Sequence, residues 1–227
     1  CGLSIATRLE ASGFAVARTA DTWDKPPGPD CFTADFADLD GHAPLVKGVL
    51  DRFGRIDCLV NNAGIGPPTR GDFIGLAPRS FDRVMSVNLR GTVFLTQAVM
   101  REMLAAEAGV EPRSVIFITS ASATAASPER MDYCMSKAAV VHLTRSLALE
   151  WGRHGINANA LCPGYIETEI NRDHWQTDAG RKLVEMLPRK RVGKPEDLDG
   201  LMLLLASEAS HFINGASIVA DDGLTAA

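Results

Sequence analysis

The sequence predicts a single doubly wound α/β domain over 1–227, a parallel sheet covered by helices on both faces. Three observations point there. Short apolar, partly β-branched runs alternate with helical stretches of about ten residues or more, the pattern of right-handed βαβ units. One run, Ser114-Val-Ile-Phe-Ile-Thr119, is almost continuously apolar, as in a strand buried on both faces. At 227 residues the chain suffices for one sizeable core, and no linker, internal repeat or low-complexity tract divides it.

Taken in order, Cys1 to Ser12 reads as a helix with Leu3, Ile5, Ala6 and Leu9 inward, stopped by Gly13. Phe14 to Arg18 reads as a strand. Asp21 to Asp30 holds three prolines and a glycine and is a loop. A short strand follows around Cys31 to Ala34. Asp40 to Gly54 is helical, and Ile56 to Val60 is a strand running into Asn61-Asn62-Ala63-Gly64. Gly66 to Gly75 is a Gly/Pro-rich loop, and one long helix is expected from about Pro78 to Ala108. The strand ending at Ser120 leads into a helix from about Pro128 to His154. Its apolar positions, among them Met131, Met135, Val141 and Leu149, recur at helical spacing. A strand at Asn157 to Leu161, an irregular segment from Pro163 to about Lys194, a helix from Pro195 to Ser207 and a strand at Ser217 to Ala220 complete the order.

The chain opens on a helix, so the first βαβ unit lacks its opening strand. In a doubly wound sheet that strand is central, and the loop after it carries the glycines that cradle a pyrophosphate. The expectation is that the sequence is incomplete at its N-terminus, with Gly2 as the last glycine of that loop.

Composition narrows the function. A net charge of -5 argues against a nucleic-acid surface and against anionic membranes. No apolar run approaches the ~20 residues that span a bilayer, and no basic-then-apolar signal pattern opens the chain. Five scattered cysteines without a C-x-x-C suggest small buried residues of a reducing, cytoplasmic compartment, not a disulfide frame or a metal site. His142, His154, His174 and His211 are scattered and read as surface or packing residues.

Chemistry concentrates between Ser120 and Lys137. Tyr133 and Lys137 lie four residues apart, on one helix face, so phenol and ammonium share a site. Ser120 sits 13 positions earlier, at the C-terminal end of the buried strand. An isolated tyrosine, with a pKa of about 10, shuttles protons poorly at neutral pH. A charged lysine ~5 Å away favours the phenolate by roughly 3 kcal/mol, or about 2 pKa units, while burial opposes it. The pair therefore works only if the lysine stays charged. Ser120 would then bond the reacting oxygen while Tyr133 gives or takes its proton. Y-x-x-x-K also arises on amphipathic helices with no catalytic role.

The company it keeps resembles the short-chain dehydrogenase/reductase family over essentially the whole chain. Asn61-Asn62-Ala63-Gly64 resembles its N-N-A-G, and Asn88 in Asn88-Leu89-Arg90-Gly91 its N-x-x-G. Ser120, Tyr133 and Lys137 match its Ser…Tyr-x-x-x-Lys set. Pro163 to Thr168 resembles P-G-x-I-x-T, and Arg191 to Asp197 resembles R-x-G-x-P-E-D. The resemblance implies a Rossmann-type domain and an NAD(P)(H)-dependent oxidoreductase interconverting a ketone and a secondary alcohol by hydride transfer. Tyr133 would be the acid/base, Ser120 would steady the oxygen, and Lys137 would lower the tyrosine pKa and bond the nicotinamide ribose. Asn88 would hold, by its side chain or a local distortion, the water relaying protons from Lys137. Asp35, with Phe36 beside it, would bind the adenine. Asn62, Ala63 and Gly64 would admit the cofactor closely, and Pro163, Gly164, Ile166 and Thr168 would close on the nicotinamide carboxamide and phosphates. No metal is required. Each position also has a plainer reading, as a strand-end turn or a self-satisfied helical Asn.

Some features leave alternatives. Arg18-Thr19-Ala20-Asp21 ends the second strand of such a fold, where an acid favours NAD and arginine accommodates NADP. Both cofactors stay open, with Asp21 inclining the reading to NAD because it would repel a 2′-phosphate. Ala220-Asp221-Asp222-Gly223 matches the family's V-D-G-G loosely, and family analogy implies a homotetramer or homodimer. A mixed polar and apolar substrate lid is expected at about 167–190. Ser122, Tyr165 and Met131 would border a small-molecule carbonyl or alcohol, either a ketoacyl thioester or a sugar acid or polyol. The competing class is a non-catalytic dinucleotide-binding scaffold or sensor of the same fold.

Overall fold

The computed structural model describes residues 1–24, 27–105, 113–169 and 171–226. Its centre is a parallel sheet in the order β3 (Cys58–Asn61), β4 (Arg113–Ile118), β5 (Ile156–Pro163), β6 (Ser217–Ala220). Registers run from Cys58 opposite Ser114 to Asn61 opposite Phe117, and from Arg113 opposite Ile156 to Ile118 opposite Leu161. β1 (Arg18–Ala20) and β2 (Cys31–Thr33) form a second parallel pair, and no described strand joins the two sheets.

The pleat of β4 builds two cores. Val115 and Phe117 point to one face, where they pack with Ala158, Ala160, Val99, Met103 and Val140. Ile116 and Ile118 point to the other, against Leu161, Ile5, Leu9, Met202 and Leu205. α4 (Thr92–Ala105) and α5 (Met131–Trp151) cover the first face; α1 (Gly2–Ala11) and α8 (Asp199–Ala206) cover the second. Since β4 and β5 are buried along their whole lengths, continuous apolar runs are what the architecture requires. This is the doubly wound parallel fold the alternation predicts.

Several boundaries differ for identifiable reasons. The expected strand over Phe14–Arg18 begins only at Arg18, because among the described residues only Arg18–Ala20 find a partner strand. The first helix ends as expected, with Gly13 at φ +93. The helix begun near Asp40 is a short 3-10 turn leading to α2 (His42–Phe53), ended by Gly54 at φ +77. The single helix expected over Pro78–Ala108 is three pieces: α3 (Pro78–Met85), a π-helical turn at Ser86–Gly91, and α4. Its expected end, Ala106–Ala108, lies outside the described residues, as do Lys25 and Pro26 of the proline loop.

α5 starts at Met131, not Pro128, since Glu129 is left-handed at φ +61 and Arg130 is the N-cap. Its inward face is Asp132, Ser136, Lys137, Val140, Val141 and Thr144, while Met131, Met135 and Leu149 are exposed, contrary to the apolar periodicity. The segment expected to be irregular carries α6 (Arg172–Trp175) and α7 (Asp178–Met186); Ile170 lies outside the described residues.

Candidate active site

The C-terminal ends of the strands collect the polar residues singled out by sequence, the edge where doubly wound sheets bind ligands. Ser120 follows β4 in an extended conformation and accepts a hydrogen bond from the Ser122 N–H at 3.1 Å, starting a 3-10 turn over Ala121–Ala123. Ser122 Oγ lies 3.0 Å from Ser127 Oγ.

Tyr133 occupies the first turn of α5. Burial raises its phenol pKa above the ordinary value; the Ser120 hydroxyl and then the Arg130 charge oppose that rise. The Ser120 contact is electrostatically felt although its one well-aligned bond is to Ser122. Lys137 Nζ stands 5.8 Å from the ring centroid and the Arg130 guanidinium carbon stands at 4.7 Å, so two cations flank the phenol while burial opposes its ionisation.

Lys137 is buried, and its Nζ donates to the Ile118 carbonyl at 3.0 Å. Burial pulls its pKa down to about 8, with the nearby Cys162 pushing weakly the other way. The ammonium therefore remains charged at neutral pH, as acid–base work requires. Above it lies Gly64. A Cβ there would come within 3.1 Å of Lys137 Nζ and 3.4 Å of Asn88 Oδ1, so a small residue is needed where these groups meet.

Asn88 is buried inside the π-helical turn. Its Oδ1 accepts from the Ile65 N–H at 2.8 Å, and its Nδ2 donates to the Ile65 carbonyl at 2.9 Å and Ser136 Oγ at 3.1 Å. Both amide donors are used, and the loop after Gly64 is clamped to α5. The widened turn ends at Gly91, where a Cβ would collide with the Phe36 carbonyl, so only glycine fits there.

The other positions are more dispersed. Gly2 faces Asn62, whose Nδ2 would lie 2.5 Å from any Cβ at Gly2, bringing the start of α1 against the end of β3. Asp21 is exposed just after β1, and Arg18 is ion-paired with Glu10. Asp35 Oδ1 accepts from the Ala37 N–H at 2.9 Å; the Phe36 ring packs on the core, and its carbonyl lies 3.1 Å from His42 Nε2. Pro163 ends β5. A Cβ on Gly164 would come within 2.7 Å of Asp221 Cα, so the Asp221-Asp222-Gly223 segment rests on this glycine. The Ile166 carbonyl accepts from Asn171 Nδ2 at 2.9 Å, and the Thr168 N–H donates to Asn171 Oδ1 at 2.7 Å. Tyr165 packs edge-on against Trp175, with centroids 5.6 Å apart. It lines a cavity of about 330 Å³ with Leu187, Arg191, Asp222 and Leu224, which none of Ser120, Tyr133 or Lys137 borders.

Sequence reasoning passed over four groups around this site. Asp132 is buried, accepting from Ser80 Oγ at 3.1 Å and from the Tyr133 N–H at 2.8 Å. Cys162 lies 2.9 Å from the Thr119 hydroxyl behind Lys137. His42 is buried with Nδ1 unpartnered, and Arg130 flanks the phenol. Only position beside Tyr133 could have marked Asp132 and Arg130. Among the described residues, no group of His, Cys, Asp or Glu is arranged to hold a metal, and no helix is long and apolar enough to cross a membrane.

Comparison with known proteins agrees with this geometry. The family model described as enoyl-(acyl carrier protein) reductase matches residues 2–225. The chain is 38% identical over 192 residues to 2-dehydro-3-deoxy-D-gluconate 5-dehydrogenase of Dickeya dadantii, covering 84% of this chain and 74% of that protein. Among solved structures it resembles 3-oxoacyl-[acyl-carrier protein] reductase from Brucella melitensis in complex with NAD. There the TM-score is 0.91 and the identity 40%, over 100% of this chain and 93% of that one. It also resembles gluconate 5-dehydrogenase from Burkholderia cenocepacia in complex with NADP and tartrate. The TM-score is 0.88 at 31% identity, over 99% and 91% of the two chains. With a family model spanning nearly its whole length and relatives of this similarity, the chain belongs to the short-chain dehydrogenase/reductase family.

Proposed function

We propose that the protein is an NAD(P)(H)-dependent oxidoreductase that interconverts a ketone and a secondary alcohol, with Tyr133 as acid/base. The observation that carries this reading is the meeting of Ser120, Tyr133, Lys137 and Asn88 at one end of β4, under the small residue Gly64. The residues fit a dinucleotide. Only one of the three Lys137 N–H donors has a partner among the described residues, which leaves two for ribose hydroxyls. Bound, the nicotinamide supplies or accepts the hydride.

The chain's own groups do the rest. Ser120 donates to the substrate oxygen and holds it beside the phenol. With its pKa raised, Tyr133 is protonated at neutral pH, the form that donates to a ketone oxygen during reduction. In oxidation the phenol would first pass its own proton toward solvent, and the phenolate would take the hydroxyl proton as the carbon gives up its hydride. Lys137 stays positive below about 8 and favours the phenolate. Because the Asn88 amide is engaged by Ile65 and Ser136, its part is to shape the site, and the relay water rests on main-chain groups of the widened turn.

NAD is favoured over NADP, since Glu10 engages Arg18 and Asp21 is exposed just after β1. Exposed Phe94 and Leu104 on α4, with Met135 and Leu149 on α5, are the apolar groups that helix pairing in a homotetramer or homodimer would cover. Five free cysteines suit a cytoplasmic setting. The test is a spectrophotometric screen of hydroxy acids, polyols and ketoacyl thioesters with each cofactor. Cofactor-linked turnover of one class is expected. Tight dinucleotide binding with no turnover of any class would favour the non-catalytic scaffold instead.

A further inference from the structure

Arg130 stands three residues before Tyr133, its guanidinium carbon 4.7 Å from the phenol centroid. Its Nε is sealed from solvent and has no hydrogen-bond partner among the described residues. Arg18, Arg52, Arg55 and Arg191 each face a carboxylate, while Arg130, like Arg90 and Arg145, faces none among the described residues; what sets Arg130 apart there is the buried, partnerless guanidine nitrogen. Neighbouring acids do not serve. Glu129 is exposed, and Asp132 is occupied by Ser80 and by the Tyr133 N–H. The approach is also held in an uncommon backbone state. Glu129 adopts φ +61, rare without glycine, and its carbonyl accepts from the Gly71 N–H at 3.4 Å. A half-buried cation without a counter-ion carries a desolvation cost that an incoming anion would offset.

We propose that Arg130 is the anchor for a carboxylate of the substrate, which makes the chain a dehydrogenase of small hydroxy acids and their keto acids. This rests on the oxidoreductase reading above. A planar guanidinium receives a carboxylate through two parallel N–H bonds, and here it does so beside the acid/base phenol. The anion is thereby placed a few bonds from the reacting carbon. A neutral polyol gains nothing from this group, nor does a thioester without an acid near its ketone.

The test separates the two readings by measuring binding and turnover independently. D-Gluconate and D-glucitol, which differ at one end as carboxylate and alcohol, are titrated calorimetrically into the NADH-saturated protein. Wild type is expected to bind gluconate at least about tenfold more tightly than glucitol. Arg130→Gln should abolish that preference, and Arg130→Lys should keep part of it, with NADH affinity checking that each variant is folded. If wild type does not distinguish the two, or if Arg130→Gln still does, the anchor is overturned and Arg130 only packs on the ring. A preference that depends on Arg130, with no cofactor-linked turnover of gluconate or any other alcohol, would uphold the anchor and remove the oxidoreductase reading.

Discussion

The wall around Lys137 and the segment over 171–188, within the lid expected at about 167–190, are built in opposite ways. The wall uses long buried elements, and its polar groups are tied to one another: Asn88 to Ile65 and Ser136, Lys137 to Ile118, Asp132 to Ser80. Moving one of these groups disturbs several others. The lid is two short helices whose ion pairs, Arg172 with Glu167 at 3.6 Å and Arg181 with Asp178, lie largely in solvent. Such pairs contribute little, ~0–1 kcal/mol each. Trp175, buried as Gly180 and Leu187 also are, ties the segment to Asn171 and Tyr165. On the proposed function, the contrast separates two duties: the groups proposed to set proton positions sit where rearrangement is costly, and those proposed to meet the variable part of a substrate sit where it is cheap.

Substitutions in the wall should therefore damage turnover and those in the lid should shift substrate affinity. The largest effect among these belongs to Lys137→Met, with turnover falling on the order of 100-fold or more and cofactor affinity falling with it. Unchanged cofactor affinity would remove the ribose role. The same variant carries a stability signature. The folded-state pKa of Lys137 is about 8 against an ordinary 10.5, so its buried charge costs on the order of 3 kcal/mol below pH 8. That cost fades as pH rises from about 8 to 10.5. Denaturant unfolding should show Lys137→Met more stable than wild type at pH 7, with the gap closing over that window; a constant gap would contradict the assignment.

Gly64→Ala comes next, since its Cβ would press on Lys137 Nζ at 3.1 Å. Turnover should drop about tenfold and stability by about 1–3 kcal/mol. Trp175→Ala should be mildest, raising KM roughly three- to tenfold with kcat little changed. An equal loss in kcat would mean the lid also positions the reacting groups, and the contrast would dissolve.

Where the sequence was informative, a physical rule was acting alone. The strand expected at Ser217–Ala220 is found there, and Gly13 and Gly54 end helices at positive φ. The inward face of α5 was not legible, because function has filled it with Asp132, Ser136, Lys137 and Thr144, leaving apolar side chains outside. The break at Ser86–Gly91 was legible only as a possible local distortion at Asn88; that Gly91 lies against the Phe36 carbonyl, 55 residues earlier in the chain, is reported by no local pattern. Arg130 depends on the backbone of Glu129, a residue type that does not announce a left-handed turn. The motif residues were legible as a set. The part of Arg130 beside the phenol was not, because nothing in the local sequence places its guanidinium over the Tyr133 ring.

The most direct test of the central claim is Tyr133→Phe, with turnover and the dissociation constant for NADH measured on one preparation. Loss of the hydroxyl removes the proton donor and leaves the ring, the Arg130 contact and the fold in place. Turnover should fall by about 100-fold or more while the dissociation constant stays within about twofold of wild type. Near-normal turnover would contradict the assignment of Tyr133 as the acid/base.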